Sequence, residues 1–136
     1  MRIKRNLYAI VAAAIVVTFL GFALACTSSG PEEVENPTVE YQLAVINEGG
    51  HVEEDDPVVA EFKDLVESID EKSVEGPTEI GDILVTAQEI LWDNYKIRVN
   101  LLGLTRELEK SLPDDGKDLN FEEIAVMYIT VLGESQ

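Results

Sequence analysis

The first 26 residues differ in kind from the rest of the chain, and this difference constrains what the chain can fold into. Arg2, Lys4 and Arg5 are the only charged side chains among them, and Leu7–Ala25 is an uninterrupted run of 19 uncharged, mostly apolar residues. The single cysteine of the chain, Cys26, stands directly after that run. No intramolecular disulfide is possible, so a domain that follows has to be held together by apolar packing alone.

A basic start followed by an apolar run is typical of an export signal. The stretch Ala23-Leu24-Ala25-Cys26 resembles the lipobox of bacterial lipoproteins, in which small residues lead to a lipidated cysteine. Ala25 and Cys26 match that pattern, whereas the position three before the cysteine, usually leucine, is Ala23. The resemblance implies a signal peptide over residues 1–25, a diacylglyceryl group on Cys26 and a domain anchored in the cell envelope.

Two other interpretations of the same segment stay open. Ala23-Leu24-Ala25 also fits an ordinary A-x-A cleavage site, which would release a soluble protein beginning at Cys26. A retained helix of 19 residues would span about 28 Å, close to the roughly 30 Å hydrocarbon core of a bilayer. All three interpretations place the domain outside the cytoplasm, because the Arg and Lys side chains of the first residues stay cytoplasmic.

Residues 26–38 are predicted to be the lipidated cysteine and an acidic tether, and residues 39–136 to be the folded domain. As a coil, Thr27–Thr38 would have a root-mean-square reach of about 20 Å. After residue 26 the chain carries 27 acidic and seven basic residues, a net charge of −20. Such a charge repels nucleic acid and attracts basic partners and cations. The predicted partners are therefore the membrane, through the lipid on Cys26, and a basic protein.

The clearest predicted element is an amphipathic helix over about 57–72. Asp56 is a good N-cap and Pro57 suits the first helical position. Apolar residues then recur on one face with helical spacing, and acidic or basic residues lie between them. The apolar face consists of Val58, Val59, Phe62, Leu65, Val66 and Ile69.

The rest of the domain also follows helical spacing, so the predicted fold class is all-α, a small bundle of about four helices. We expect helices over about 78–94, capped by Thr78, and over about 99–112, with a break near 95–98. A turn over 113–117 leads to a helix over about 121–132, with Asn120 and Glu123 as a capping box and Gly133 as its end. The segment 39–47 is packed but undecided between strand and helix.

The stretch 114–123, DDGKDLNFEE, resembles the second half of an EF-hand calcium loop. Its register departs from that pattern: with Gly116 at the sixth position, Ser111 and Pro113 fall at the ligand positions one and three. A turn followed by a capping box accounts for the same residues without a metal, so no metal site is predicted. The residues that would serve as weak candidates are Asp114, Asp115, Glu122 and Glu123.

Other side chains that could carry chemistry have simpler interpretations. The acidic run 53–56 suits a helix N-terminus, and His51, the only histidine, is expected in an exposed loop. Trp92 and Tyr95, with Tyr128, could line an aromatic groove but are expected in the core. No motif of a hydrolase, metalloprotease, P-loop or dinucleotide site occurs. We therefore expect no catalytic residue and no cofactor.

The leading functional hypothesis is a membrane-tethered, non-catalytic lipoprotein whose helical domain binds or organises another protein. Two alternatives belong to other classes. The acidic clusters would suit a module that responds to divalent cations, and a cleft around Trp92 would suit a carrier of small molecules.

Overall fold

The computed structural model describes residues 36–116 and 118–135, and these residues form five helices and no strand. The all-α prediction is confirmed, and each of the four predicted helices is present with ends within two residues of those expected. The segment preceding residue 36, including the expected signal peptide and Cys26, lies outside the described residues. The helices are α1 Val39–Glu48, α2 Pro57–Asp70, α3 Pro77–Tyr95, α4 Leu101–Lys110 and α5 Phe121–Glu134.

The undecided segment 39–47 is helix α1. Its first turn is capped by Thr38, whose Oγ1 accepts the Tyr41 N–H at 3.4 Å, and its end is fixed by Gly49 in the left-handed conformation. Glycine tolerates that conformation without steric penalty, so it is the usual residue for this type of helix end. Leu43 and Ala44 are buried. The two caps select the helix where the apolar pattern alone left both possibilities.

Helix α2 begins as predicted, because the Asp56 carboxylate accepts the Val58 N–H at 2.9 Å and Pro57 occupies the first position. The start of α3 differs from the prediction that Thr78 is its cap. Gly76 is the N-cap and donates its N–H to the Glu79 carboxylate at 3.0 Å. Pro77 has its φ fixed at a helical value, so the helix starts at that residue and Thr78 lies inside its first turn.

The predicted break between the third and fourth helices is confirmed. Lys96 adopts a left-handed backbone with φ of 58°, and its N–H donates to the Trp92 carbonyl. Residues 96–100 belong to no helix. The side chain of Asn100 then accepts the Gly103 N–H at 3.0 Å and starts α4. Ile97 is half-buried against the core, and burial of this apolar side chain favours the folded-back path of the connection.

Helix α5 begins at the predicted cap, with the Asn120 side chain accepting the Glu123 N–H at 2.9 Å. The prediction that Gly133 ends the helix is wrong, because α5 continues through Glu134. Gly133 instead lies where a β-carbon would overlap the ring of Tyr95. It is a packing residue between α5 and the end of α3.

The core is formed by apolar side chains from all five helices. Each helix buries its apolar face against the others, because a single helix cannot bury that face alone. The largest fully buried ones are Phe62, Phe121, Leu43, Ile69, Ile80, Leu84, Leu91, Leu101 and Leu108. Two backbone hydrogen bonds also join the α2–α3 connection to the segment before α5: Val74 N–H to Leu119 O at 2.9 Å, and Leu119 N–H to Lys72 O at 3.1 Å.

Candidate interaction surface

Trp92, the only tryptophan of the chain, lies at the surface, with 41% of its area exposed. Its expected place in the core is wrong. Ala87 and Leu91 on the same helix are buried. Successive residues of a helix are about 100° apart around its axis, so Trp92 lies to one side of the face that carries Leu91. A large aromatic side chain left half in solvent is a candidate for contact with another molecule.

Two cations lie over the Trp92 ring. The guanidinium carbon of Arg98 is 4.5 Å from the ring centroid, and the Lys96 ammonium nitrogen is 5.5 Å from it. Both distances are within the range of attraction between a cation and the face of an aromatic ring. Trp92, Lys96 and Arg98 are called the Trp92 surface below.

The fold of the α3–α4 connection creates this arrangement. The left-handed residue Lys96 turns the chain back, so that the Ile97 N–H donates to the Leu91 carbonyl at 3.0 Å. Further along, the Gln88 side-chain amide donates to the Val99 carbonyl at 2.9 Å. These bonds hold residues 97–99 along the last turns of α3, and Arg98 thereby reaches the ring.

Lys96 and Arg98 also differ from the other basic side chains of the described residues in that they form no ion pair there. The other four each form an ion pair with a carboxylate, whereas neither Lys96 nor Arg98 pairs with another residue in 36–116 or 118–135. The pairs are Lys63–Glu67 at 3.9 Å, Lys72–Glu109 at 3.2 Å, Lys110–Glu107 at 2.9 Å and Arg106–Glu61. Exposed acids Glu89 and Asp93 stand close by on α3, so the Trp92 surface is locally near neutral in an otherwise acidic domain.

The other two rings of the expected aromatic groove have different surroundings. Tyr95 and Tyr128 are half-buried and pack against the core. Tyr95 also lies against Gly133. The three rings therefore do not share one environment, and Trp92 is the ring presented to solvent.

The metal-site candidates do not converge in the part of the chain that is described. Asp114 and Asp115 are exposed in the turn, and Glu122 and Glu123 are exposed in the first turn of α5. Across residues 36–116 and 118–135, no group of three or more His, Cys, Asp or Glu side chains is placed to hold a metal ion.

The acidic run before α2 has one defined structural role, since Asp56 caps that helix while Glu53, Glu54 and Asp55 are exposed. His51 is exposed as predicted, and its Nε2 lies 3.4 Å from the Glu53 carboxylate. An imidazole so open to solvent lacks the desolvated surroundings typical of a catalytic base.

Glu75 is a structural residue that sequence reasoning missed. Its carboxylate accepts the Phe121 N–H at 3.0 Å and the Glu122 N–H at 3.5 Å. It therefore supplies a negative charge and two acceptors to the free N–H groups at the start of α5. The two segments are far apart in sequence, and no local pattern connects them.

Two carboxyl groups have shifted pKa values. The hydroxyl of Ser68, which donates to Glu109 at 2.7 Å, lowers the pKa of that carboxyl, and neighbouring Lys72 lowers it further against the opposing effect of burial. Partial burial raises the pKa of Asp82, and the nearby charge of Glu79 adds to this rise. Ser68, Lys72 and Glu109 form a cluster, called the Glu109 cluster, that joins α2 and the residues after it to α4. Its role is structural.

Comparison with protein-family models, with curated proteins and with solved structures found no match for this chain. Among the described residues, no helix combines the length and the apolar character needed to cross a membrane.

Proposed function

We propose that this chain is a membrane-tethered, non-catalytic lipoprotein whose helical domain binds or organises another protein. The proposal of a tether is supported by the apolar run 7–25 and by the position of the only cysteine directly after it. A single acyl chain, at about 0.8 kcal/mol per buried methylene, binds membranes only marginally. The two chains of a diacylglyceryl group on Cys26 would make the anchor stable.

The proposal of protein binding is supported chiefly by the charge distribution of the domain. The ion pairs take up four of the cations in residues 36–116 and 118–135, while acidic residues outnumber basic ones by 27 to ten in the whole chain. Most surface carboxylates are thus left facing solvent. A field of this sign accelerates association with a basic protein surface, and the effect weakens with salt.

The absence of catalysis is proposed from the lack of a catalytic constellation in the sequence. The only histidine, His51, is exposed, and the Ser68 hydroxyl donates to Glu109 in a contact between helices. Exposure accounts for His51 and the contact between helices accounts for Ser68, so neither side chain calls for a catalytic role.

The proposed partner can be tested by recovery from detergent-solubilised membranes of the native cell at low and high salt. We expect a protein with a basic surface to be recovered at low salt and to be lost progressively as salt is raised. The variant Glu53→Gln/Glu54→Gln/Asp55→Asn removes three exposed charges and leaves the Asp56 cap in place. It should weaken recovery at low salt. Recovery of no partner under either condition would contradict the proposal.

A further inference from the structure

We propose that the Trp92 surface is the part of the domain that lies against the bilayer, an inference that rests on the proposed membrane tether. The ring of Trp92 would sit at the level of the lipid headgroups, and Lys96 and Arg98 would contact lipid phosphates. The proposal assigns an orientation to the domain at the membrane.

The residue types of this surface suit the boundary between water and lipid. Tryptophan concentrates at that boundary because its ring is apolar and its N–H is polar. Lysine and arginine can lay their apolar stems beside a ring while their charged ends stay in the headgroup layer. Arg98, lying over Trp92 at 4.5 Å, also carries N–H groups in a planar fork that matches the oxygens of a phosphate.

Lys96 and Arg98 have charge available for this contact. The other cations of the described residues are neutralised by carboxylates of the same domain. Lys96 also occupies a left-handed backbone position, which glycine would adopt more easily. With lysine in this backbone conformation, its ammonium group lies beside the Trp92 ring.

The position at which the chain enters the domain is compatible with this orientation. Val39, the first residue of α1, lies against Gly81 so closely that a β-carbon there would be 2.7 Å from the Val39 side chain. Trp92 follows Gly81 by 11 residues, which is three helical turns along the same face of α3, about 16 Å away. The expected reach of Thr27–Thr38, about 20 Å, covers that distance.

The charge balance around Trp92 is compatible with the same orientation. Most of the domain surface is acidic, and such a surface is repelled by anionic headgroups. Among residues 36–116 and 118–135, Lys96 and Arg98 pair with no carboxylate. Their charges offset those of Glu89 and Asp93, so this face is repelled less than the acidic surface around it. The near-neutral balance fits a zwitterionic lipid surface better than a strongly anionic one.

The experiment uses the lipidated chain that begins at Cys26, purified from its native cell and reconstituted in phosphatidylcholine liposomes. Trp92 is the only tryptophan, so its fluorescence reports the position of this surface alone. We expect lipids brominated near the headgroup end of their chains to quench the emission by about twofold, because a ring at the interface would lie close to those bromine atoms. Flotation of the same liposomes measures anchoring separately.

A variant pair isolates the role of the two cations. Lys96→Glu/Arg98→Glu should float with the liposomes but lose the quenching. Lys63→Glu/Lys110→Glu makes the same change in charge on α2 and α4, where the ion pairs are exposed, and should keep it. Melting temperatures measured alongside identify any variant that fails to fold.

The outcomes separate this inference from the proposed tether. A wild-type chain that floats without quenching would overturn the membrane orientation and leave the tether intact, with the Trp92 surface free for a protein partner. Equal quenching in wild type and in Lys96→Glu/Arg98→Glu would also overturn it. A chain that does not float would contradict the proposed tether itself.

Discussion

The ring of Tyr95 lies against Gly133 so closely that a β-carbon at residue 133 would overlap the ring. Tyr95 is the last residue of α3, and Gly133 lies in the last turn of α5, so this contact closes one end of the bundle. Glycine within a helix is unfavourable by about 0.5–1 kcal/mol relative to alanine. The close approach of the ring gives a reason for this helical glycine.

Gly133→Ala is therefore expected to destabilise the domain by about 1–2 kcal/mol, because overpacking outweighs the gain in helix propensity. Gly103→Ala, in α4, is the matched control. The nearest atom to a β-carbon there is 3.8 Å away, so the domain should gain about 0.5–1 kcal/mol from helix propensity. Urea unfolding followed by circular dichroism measures both, and equal effects would contradict the packing role of Gly133.

Gly81→Ala tests the contact between α1 and α3. The added β-carbon would meet the Val39 side chain at 2.7 Å, and we expect a loss of about 1 kcal/mol. Restoring space with Val39→Ala in the same chain should recover part of that loss. An additive effect of the two substitutions in urea unfolding would show that the helices do not approach as closely as described.

Glu75→Gln should destabilise α5, since the charged acceptor for two N–H groups is lost from its start. The expected loss is about 1 kcal/mol, the usual contribution of a helix cap. Glu71→Gln, on an exposed side chain nearby, is the control. Hydrogen exchange of the amides at the beginning of α5 should accelerate in the first variant and stay unchanged in the second.

Glu109→Gln should lower the stability by about 1 kcal/mol at neutral pH, because Lys72 loses its charged partner while Ser68 keeps an acceptor. The folded pKa of Glu109 lies below its unfolded value, so its charge stabilises the fold above the unfolded pKa. That contribution is lost as the pH falls through the folded pKa. The difference between wild type and variant should therefore shrink at low pH in thermal unfolding.

Glu107→Gln provides the comparison for that prediction. Its ion pair with Lys110 is largely exposed, with side-chain exposures of 66% and 53%. Exposed pairs contribute little, so this variant should unfold at nearly the wild-type temperature throughout the same pH range. A loss as large as that of Glu109→Gln would argue against a special role for the Glu109 cluster.

Asp82→Asn has the opposite expected sign. The folded pKa of Asp82 is raised by burial and by Glu79, so its ionised form destabilises the fold at pH values above the folded pKa. The variant should melt at a slightly higher temperature than wild type at pH 7. The advantage should disappear as the pH falls below the unfolded pKa, since both side chains are then neutral. A variant that is less stable at pH 7 would contradict this.

Local sequence signals were sufficient for α2–α5, whereas they left the type of α1 undecided. Asp56, Pro57 and Asn120 act within one turn, and the apolar spacing of α2–α5 predicted which elements exist. What could not be predicted depends on contacts distant in sequence. Gly133 was expected to terminate α5 because glycine is common at helix ends. Its packing role depends on the ring of Tyr95, which belongs to another helix.

The same limit applies to the candidate surface. An aromatic residue next to a buried stripe is expected in the core, and the exposure of Trp92 depends on how α3 is rotated against its neighbours. The approach of Arg98 to Trp92 requires the left-handed turn at Lys96, a position where the sequence offers no glycine as a signal. Glu75 likewise acts on a helix that begins 46 residues later.

Intact mass spectrometry of the protein from its native cell distinguishes export and lipidation at Cys26 from retention in the cytosol. We predict a chain that begins at Cys26 and carries the mass of a diacylglyceryl group. A mass that corresponds to an unmodified chain still beginning at Met1, recovered from the cytosol, would show that the protein is neither exported nor anchored through Cys26.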